Sequence, residues 1–155
     1  MSDAVTATRA QIQIGSITVD GFMLPDGSYR MSQEQAAEAI EEPPVYALRF
    51  LRSKASKALL GDDYTDYKPE SVEVETGEGR RGQTRINALP LSVVSAYWFT
   101  KANKGNKAAV ILCWALLTES LERRFDKAFD IERTEEERND RLTQRMGELE
   151  AQMSA

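Results

Sequence analysis

The apolar residues of this chain change period near Ser32. Before it, Ile12, Ile14, Ile17, Val19 and Phe22 mostly alternate with polar neighbours, which is the spacing of a half-buried strand, interrupted near Gly15. After it, apolar residues recur at steps of three and four, the spacing of one buried helix face. Only two later stretches return to strand spacing, Val72 with Val74 and residues 85–88. Strands gathered mainly at the front and helices behind predict an α+β fold, a small antiparallel sheet of hairpins packed with several helices.

Local signals divide the chain further. Pro25, Asp26 and Gly27 supply turn chemistry, so Tyr29 to Met31 is expected to return antiparallel. Ser32 with Gln35 forms a capping-box pattern ahead of Ala36, Ala37 and Ile40, which predicts a short helix to about Glu41. Pro43 and Pro44 end that helix and can open another. In residues 45–60 the positions Val45, Leu48, Leu51, Ala55 and Leu59 define one buried face. Arg49, Arg52, Ser53, Ser56 and Lys57 line the other. A short alanine-rich helix, a tight turn and a longer helix with basic and hydroxyl groups outward form a helix-turn-helix-like pair.

Gly77, Gly79 and Gly82 punctuate a hairpin with Arg80 and Arg81 at its tip and Arg85 on the returning strand. Pro90 opens a helix with Val93, Val94, Tyr97 and Trp98 on one face, and Gly105 stops it. Asn106 caps the next helix, apolar on several sides through Ala108, Ala109, Val110, Leu112, Trp114, Leu116 and Leu117, which is expected to be the buried central helix. At helical spacing within apolar runs, Trp98, Tyr97 and Trp114 are expected to pack in the core rather than stack on bases. Beyond Ile131 the chain is almost wholly charged, and Thr134 with Glu137 repeats the capping box. Leu142, Met146, Leu149 and Met153 follow at steps of four, three and four, the seam of a short coiled-coil-like helix. A lone helix of this kind is marginal in water, so the seam is expected to pair with a second copy.

These readings divide the 155 residues into a disordered tail (1–10), one α+β domain (11–130) and a C-terminal charged helix serving dimerisation (131–155). No apolar run is long enough to cross a bilayer, the start lacks the form of a secretory signal, and Cys113 is alone in an apolar stretch. A cytoplasmic protein is the expectation. Histidine is absent, which removes the usual neutral-pH proton shuttle and the commonest nitrogen ligand for transition metals. No paired-carboxylate or phosphate-cradling motif takes its place, so neither catalysis nor a cofactor or metal is expected.

The net charge of −5 disguises a local pattern. Residues 1–118 carry −1 and the remainder carries −4. Residues 46–61 hold Arg49, Arg52, Lys54 and Lys57 without one acid, and residues 79–118 hold Arg80, Arg81, Arg85, Lys101, Lys104 and Lys107, again without one. Local potential rather than total charge is what a phosphate meets.

The order of elements, with the phrases Val19-Asp20-Gly21, Met31-Ser32-Gln33, Ala36-Ala37-Glu38-Ala39-Ile40 and Arg85-Ile86-Asn87-Ala88-Leu89, resembles the Bro-N and KilA-N-like domains of phage antirepressors. Lys101 through Trp114 to Leu121 is similar to the closing helices of that family. The likeness covers roughly residues 17–129 and implies an α+β DNA-binding module of phage or mobile-element type. On this basis the chain is expected to be a transcriptional regulator that binds double-stranded DNA as a homodimer or higher homo-oligomer. Arg49, Arg52, Ser53 and Ser56 are expected to approach base edges and Arg80, Arg81, Lys101 and Lys104 to hold phosphates, with Lys57 and Arg85 also among the DNA-binding residues. The alternative is a protein-interaction module, such as an antirepressor that captures another regulator.

Overall fold

The computed structural model describes residues 6–54, 56–57, 70–74 and 85–154, with backbone alone for residues 70–74 and 85. The expected α+β class is what the chain adopts. Five strands occur among the described residues: β1 (Thr6–Ile14), β2 (Ile17–Met23), β3 (Tyr29–Ser32), β4 (Glu70–Val74) and β5 (Arg85–Pro90). The helices with both ends described are α1 (Gln33–Glu38), α2 (Val45–Leu51), α3 (Leu91–Asn103), α4 (Lys107–Ala128) and α5 (Glu135–Ser154), and Lys54, Ser56 and Lys57 are helical as well.

The period-two run at the front is two strands rather than one. Gly15 takes φ +63° and, with Ser16, reverses the chain, so that Ile14 faces Ile17 and Thr8 faces Met23 across an antiparallel pair. The second reversal falls at Pro25 to Gly27, where Gly27 N donates to Leu24 O at 2.8 Å and Asp26 Oδ1 accepts from Ser28 N at 2.9 Å. The strand order is β1-β2-β3-β5-β4, and a short parallel contact of Thr6 with Glu73 and Ala7 with Val74 closes it into a barrel. Residues 6–10, expected to be tail, are therefore strand, and Ala7 is buried with Phe22, Leu24 and Ala88 in a small core of their own.

The main core joins every described helix to the sheet. Ile40, Leu51, Leu89, Val93, Val94, Tyr97 and Leu112 are all nearly inaccessible. Ser32 caps α1 by accepting from Gln35 N at 3.1 Å, but the Gln35 side chain turns to Asp20, whose N donates to Gln35 Oε1 at 2.8 Å. Trp98 Nε1 donates to Ala36 O at 2.7 Å and ties α3 to α1.

Three expectations are corrected by packing. The helix expected over residues 45–60 stops at Leu51, because Arg52 leaves helical geometry (φ −99°, ψ 4°) and Ser53 Oγ donates to Phe50 O at 2.7 Å. Ala55 and Leu59 lie outside the described residues. The central helix α4 is buried on one side only: Ala109, Ile111, Leu112 and Ala115 face inward, while Trp114 and Leu117 face solvent. The seam of α5 is taken up within the chain, since Leu142, Met146 and Leu149 are buried in the same core as Val93 and Leu112. Met153 alone of that set is exposed. Residues 142–149 therefore leave no apolar strip for a second copy, and α5 belongs to the same packed body as the sheet and the helices α1 to α4.

Polar contacts hold α5 in place. Thr134 and Glu137 form the reciprocal capping box, with Glu137 N donating to Thr134 Oγ1 at 3.0 Å and Thr134 N to Glu137 Oε1 at 3.3 Å. Asn139 grips the β1–β2 turn, accepting from Gly15 N at 2.7 Å and donating to Gly15 O at 3.1 Å. Arg141 and Arg145 reach Glu122 of α4, and Arg133 and Arg138 both meet the buried Asp126 at 3.0 Å. Among the described residues no helix is long and apolar enough to cross a membrane.

Candidate anion-binding pocket

Two helices distant in sequence come together where α2 and α3 meet. The Phe50 and Tyr97 rings pack at 5.5 Å between centroids and fix the approach. Beside them lies a cavity of about 310 Å³ lined by Tyr46, Arg49, Phe50 and Ser53 from one segment and Thr100, Lys101 and Lys104 from the other. Tyr46 and Arg49 are three apart on α2, so they share a face, and the Arg49 guanidinium carbon sits 5.2 Å from the Tyr46 ring centroid. Lys101 in the last turn of α3 and Lys104 at its C-cap both line the cavity, and Lys101 Nζ sits 5.1 Å from that ring.

One carboxylate tempers this charge. Glu42 Oε2 lies 3.8 Å from Lys101 Nζ, near the outer limit of an ion pair. Its oxygens are already engaged, accepting from Tyr97 Oη at 2.6 Å and from Asn106 Nδ2 at 3.4 Å. Burial, followed by the bond to Glu42, pushes the Tyr97 hydroxyl far above the ordinary tyrosine range, so it remains a donor. Arg49 and Lys104 have no carboxylate partner among the described residues. The local balance is three cations against one anion.

Thr100 adds a second, independent feature. It is 7% exposed, it lines the cavity, and its Oγ1 has no hydrogen-bond partner among the described residues. A helical threonine usually bonds back to a carbonyl one turn earlier, and an unpaired buried hydroxyl costs about 1–3 kcal/mol. A ligand oxygen entering the cavity would remove that cost. Cations, an aromatic face and a spare hydroxyl are the groups that could hold an oxyanion such as a phosphate.

Of the residues expected to bind DNA, the fold brings Arg49, Ser53, Lys101 and Lys104 to this one cavity. Two hydroxyls do not take the expected role. Ser53 Oγ accepts from Ser56 N at 3.2 Å as it donates to Phe50, so it shapes the end of α2 and is engaged locally. Ser56 is 1% exposed and faces inward, because the chain breaks at Arg52 and the outward face predicted for a continuous helix does not persist. Arg52 and Lys57 are exposed but outside the cavity lining. Arg85 lies in β5 opposite Glu73, and Arg80 and Arg81 lie outside the described residues.

Sequence reading missed Tyr46, Thr100 and Glu42. Tyr46 was detectable as the aromatic one turn before Arg49, whereas the unpaired state of Thr100 exists only in the packed structure. Among the described residues no group of three carboxylates or cysteines is placed to hold a metal ion. No family model matches this chain, and no characterised protein or solved structure is a significant match to it.

Proposed function

We propose that this chain is a DNA-binding protein, a cytoplasmic transcriptional regulator of phage or mobile-element type without catalytic activity, related in kind to the Bro-N and KilA-N-like domains. The observation that carries the reading is the convergence of Arg49, Lys101 and Lys104 around Tyr46 and the unpaired Thr100 hydroxyl. Two of these cations are offered from α2 and α3 without a competing carboxylate among the described residues, as a phosphate contact requires. In this reading the pocket seats one backbone phosphate of double-stranded DNA, and Arg52 at the end of α2 stands closest to the bases.

Fluorescence anisotropy with a labelled duplex of about three helical turns, titrated across a salt series, tests it. Each phosphate contact contributes about 0.9 to the slope of log affinity against log salt. Arg49→Ala with Lys104→Ala is therefore expected to weaken binding at least about tenfold at moderate salt and to lower the slope by nearly two. Binding that ignores salt, or that survives the double substitution unchanged, rejects the reading.

A second reading, a protein-interaction module that captures another regulator, is favoured by the apolar residues exposed on α4. It predicts that partner capture is lost on substituting α4 and retained in the Arg49→Ala, Lys104→Ala variant.

A further inference from the structure

The outward side of α4 carries an apolar stripe that no described residue covers. Trp114, Leu117, Leu121 and Phe125 are 53%, 64%, 51% and 63% exposed, and Phe129 just beyond the helix is 72% exposed. Steps of three, four and four keep the four helical residues on one face, opposite the buried line of Leu112, Ala115 and Asp126. Isolated exposed leucines need no explanation, but a contiguous row over three turns does. With aromatic side chains carrying roughly 150–250 Å² each, the row presents on the order of 500 Å² of apolar surface. A standard interface buries about 800 Å² per partner, of which some 65% is apolar in homodimers, or roughly 500 Å². The stripe thus matches the apolar share of one stable dimer.

Its order also selects the occupant. Read from either end, the sequence of side chains is aromatic, leucine, leucine, aromatic. Two copies of α4 crossing antiparallel about a point near Glu119 set Leu117 against Leu121 and Trp114 against Phe125, twice over. A two-fold contact requires a surface complementary to itself, and this row is. Of the charged residues on α4, Glu122, Arg123 and Asp126 are engaged by α5 or within α4, with Arg141 2.7 Å from Glu122, Arg138 3.0 Å from Asp126 and Arg123 2.9 Å from Glu135, while the exposed Arg124, seven residues after Leu117, borders the stripe as part of its polar rim.

We infer that α4 is a homodimer interface, an antiparallel helix pair between two copies of this chain centred on Leu117 and Leu121, and distinct from the α2–α3 pocket. The 155-residue chain is dimeric at micromolar concentration. Because both leucines are exposed, charges placed there spare the core.

Sedimentation equilibrium on Leu117→Glu and on Leu121→Lys, each checked for native circular dichroism, tests the pairing. Each variant alone repeats its own charge against a leucine twice across the two-fold and is expected to be monomeric, with dimer affinity lowered roughly 100-fold. An equimolar mixture of the two variants sets the introduced glutamate of one copy against the introduced lysine of the other and restores the dimer. A monomeric wild type, variants that stay dimeric, or a mixture that stays monomeric overturns the inference, as does a 1:1 complex of the wild type with a different protein through this face. Since Arg49 and Lys104 are untouched in these variants, loss of the dimer and loss of the anion pocket remain separately visible.

Discussion

Gly15 holds φ +63° at the tip of the first hairpin, and a Cβ placed there would collide with the Met146 sulfur of α5. Two separate costs meet at one residue. The left-handed backbone costs an L-residue about 1–2 kcal/mol, and the steric clash adds to it. Gly15→Ala is expected to lower stability by about 2 kcal/mol, read as a shift of the urea midpoint. Combined with Met146→Ala, which alone creates a cavity worth about 2–4 kcal/mol, the loss is smaller than the sum, because the clash disappears and the backbone strain persists. Strict additivity would show that Met146 is not what crowds the turn. The glycine was legible in the sequence as a break in a strand pattern. The methionine that presses on it was not, being more than a hundred residues away.

At the scale of elements, α4 and α5 are joined by paired charges whose strength follows pH. Hydrogen bonds from Arg141 first, and from Arg145, outweigh burial and hold the Glu122 carboxyl at about 2, against 4.5 for the unperturbed group. A carboxyl with a lowered native pKa stabilises fully above its unfolded value and loses that contribution as protons bind, here between pH 4.5 and pH 2. Thermal midpoints are expected to fall across that window. Glu122→Gln should cost about 1–2 kcal/mol at neutral pH and flatten the fall, since the pair is partly screened by solvent. An unchanged acid profile in the variant would assign the pH dependence elsewhere. The heptad-like spacing of α5 was read correctly as one apolar face, but spacing does not say which surface covers it. The same limit applied to α4, where an apolar sequence on several sides hid a helix buried on only one.

For the whole molecule, the sharing of one core by the sheet, α3, α4 and α5 implies a single cooperative transition. Near-ultraviolet and far-ultraviolet circular dichroism are expected to give the same midpoint. Deletion of residues 134–155 should uncover the faces that Leu142, Met146 and Leu149 occupy and yield a protein that binds apolar dyes, rather than an intact domain lacking a tail. The sequence alone determined the α+β class, the turn at Gly27 and the helix caps at Ser32, Asn106 and Thr134, whereas Gly15 showed only as a break within one strand. Each of these follows from interactions within a few residues, where local chemistry leaves few alternatives. It also flagged the acid-free basic segments. Tertiary structure decided that the barrel closes through Thr6 and Ala7, that α5 folds back onto the core, that Ser56 turns inward, and that Arg49, Lys101 and Lys104 share a pocket. Periodicity marks which side of an element is apolar, while the surface that side meets depends on contacts between residues far apart in the chain.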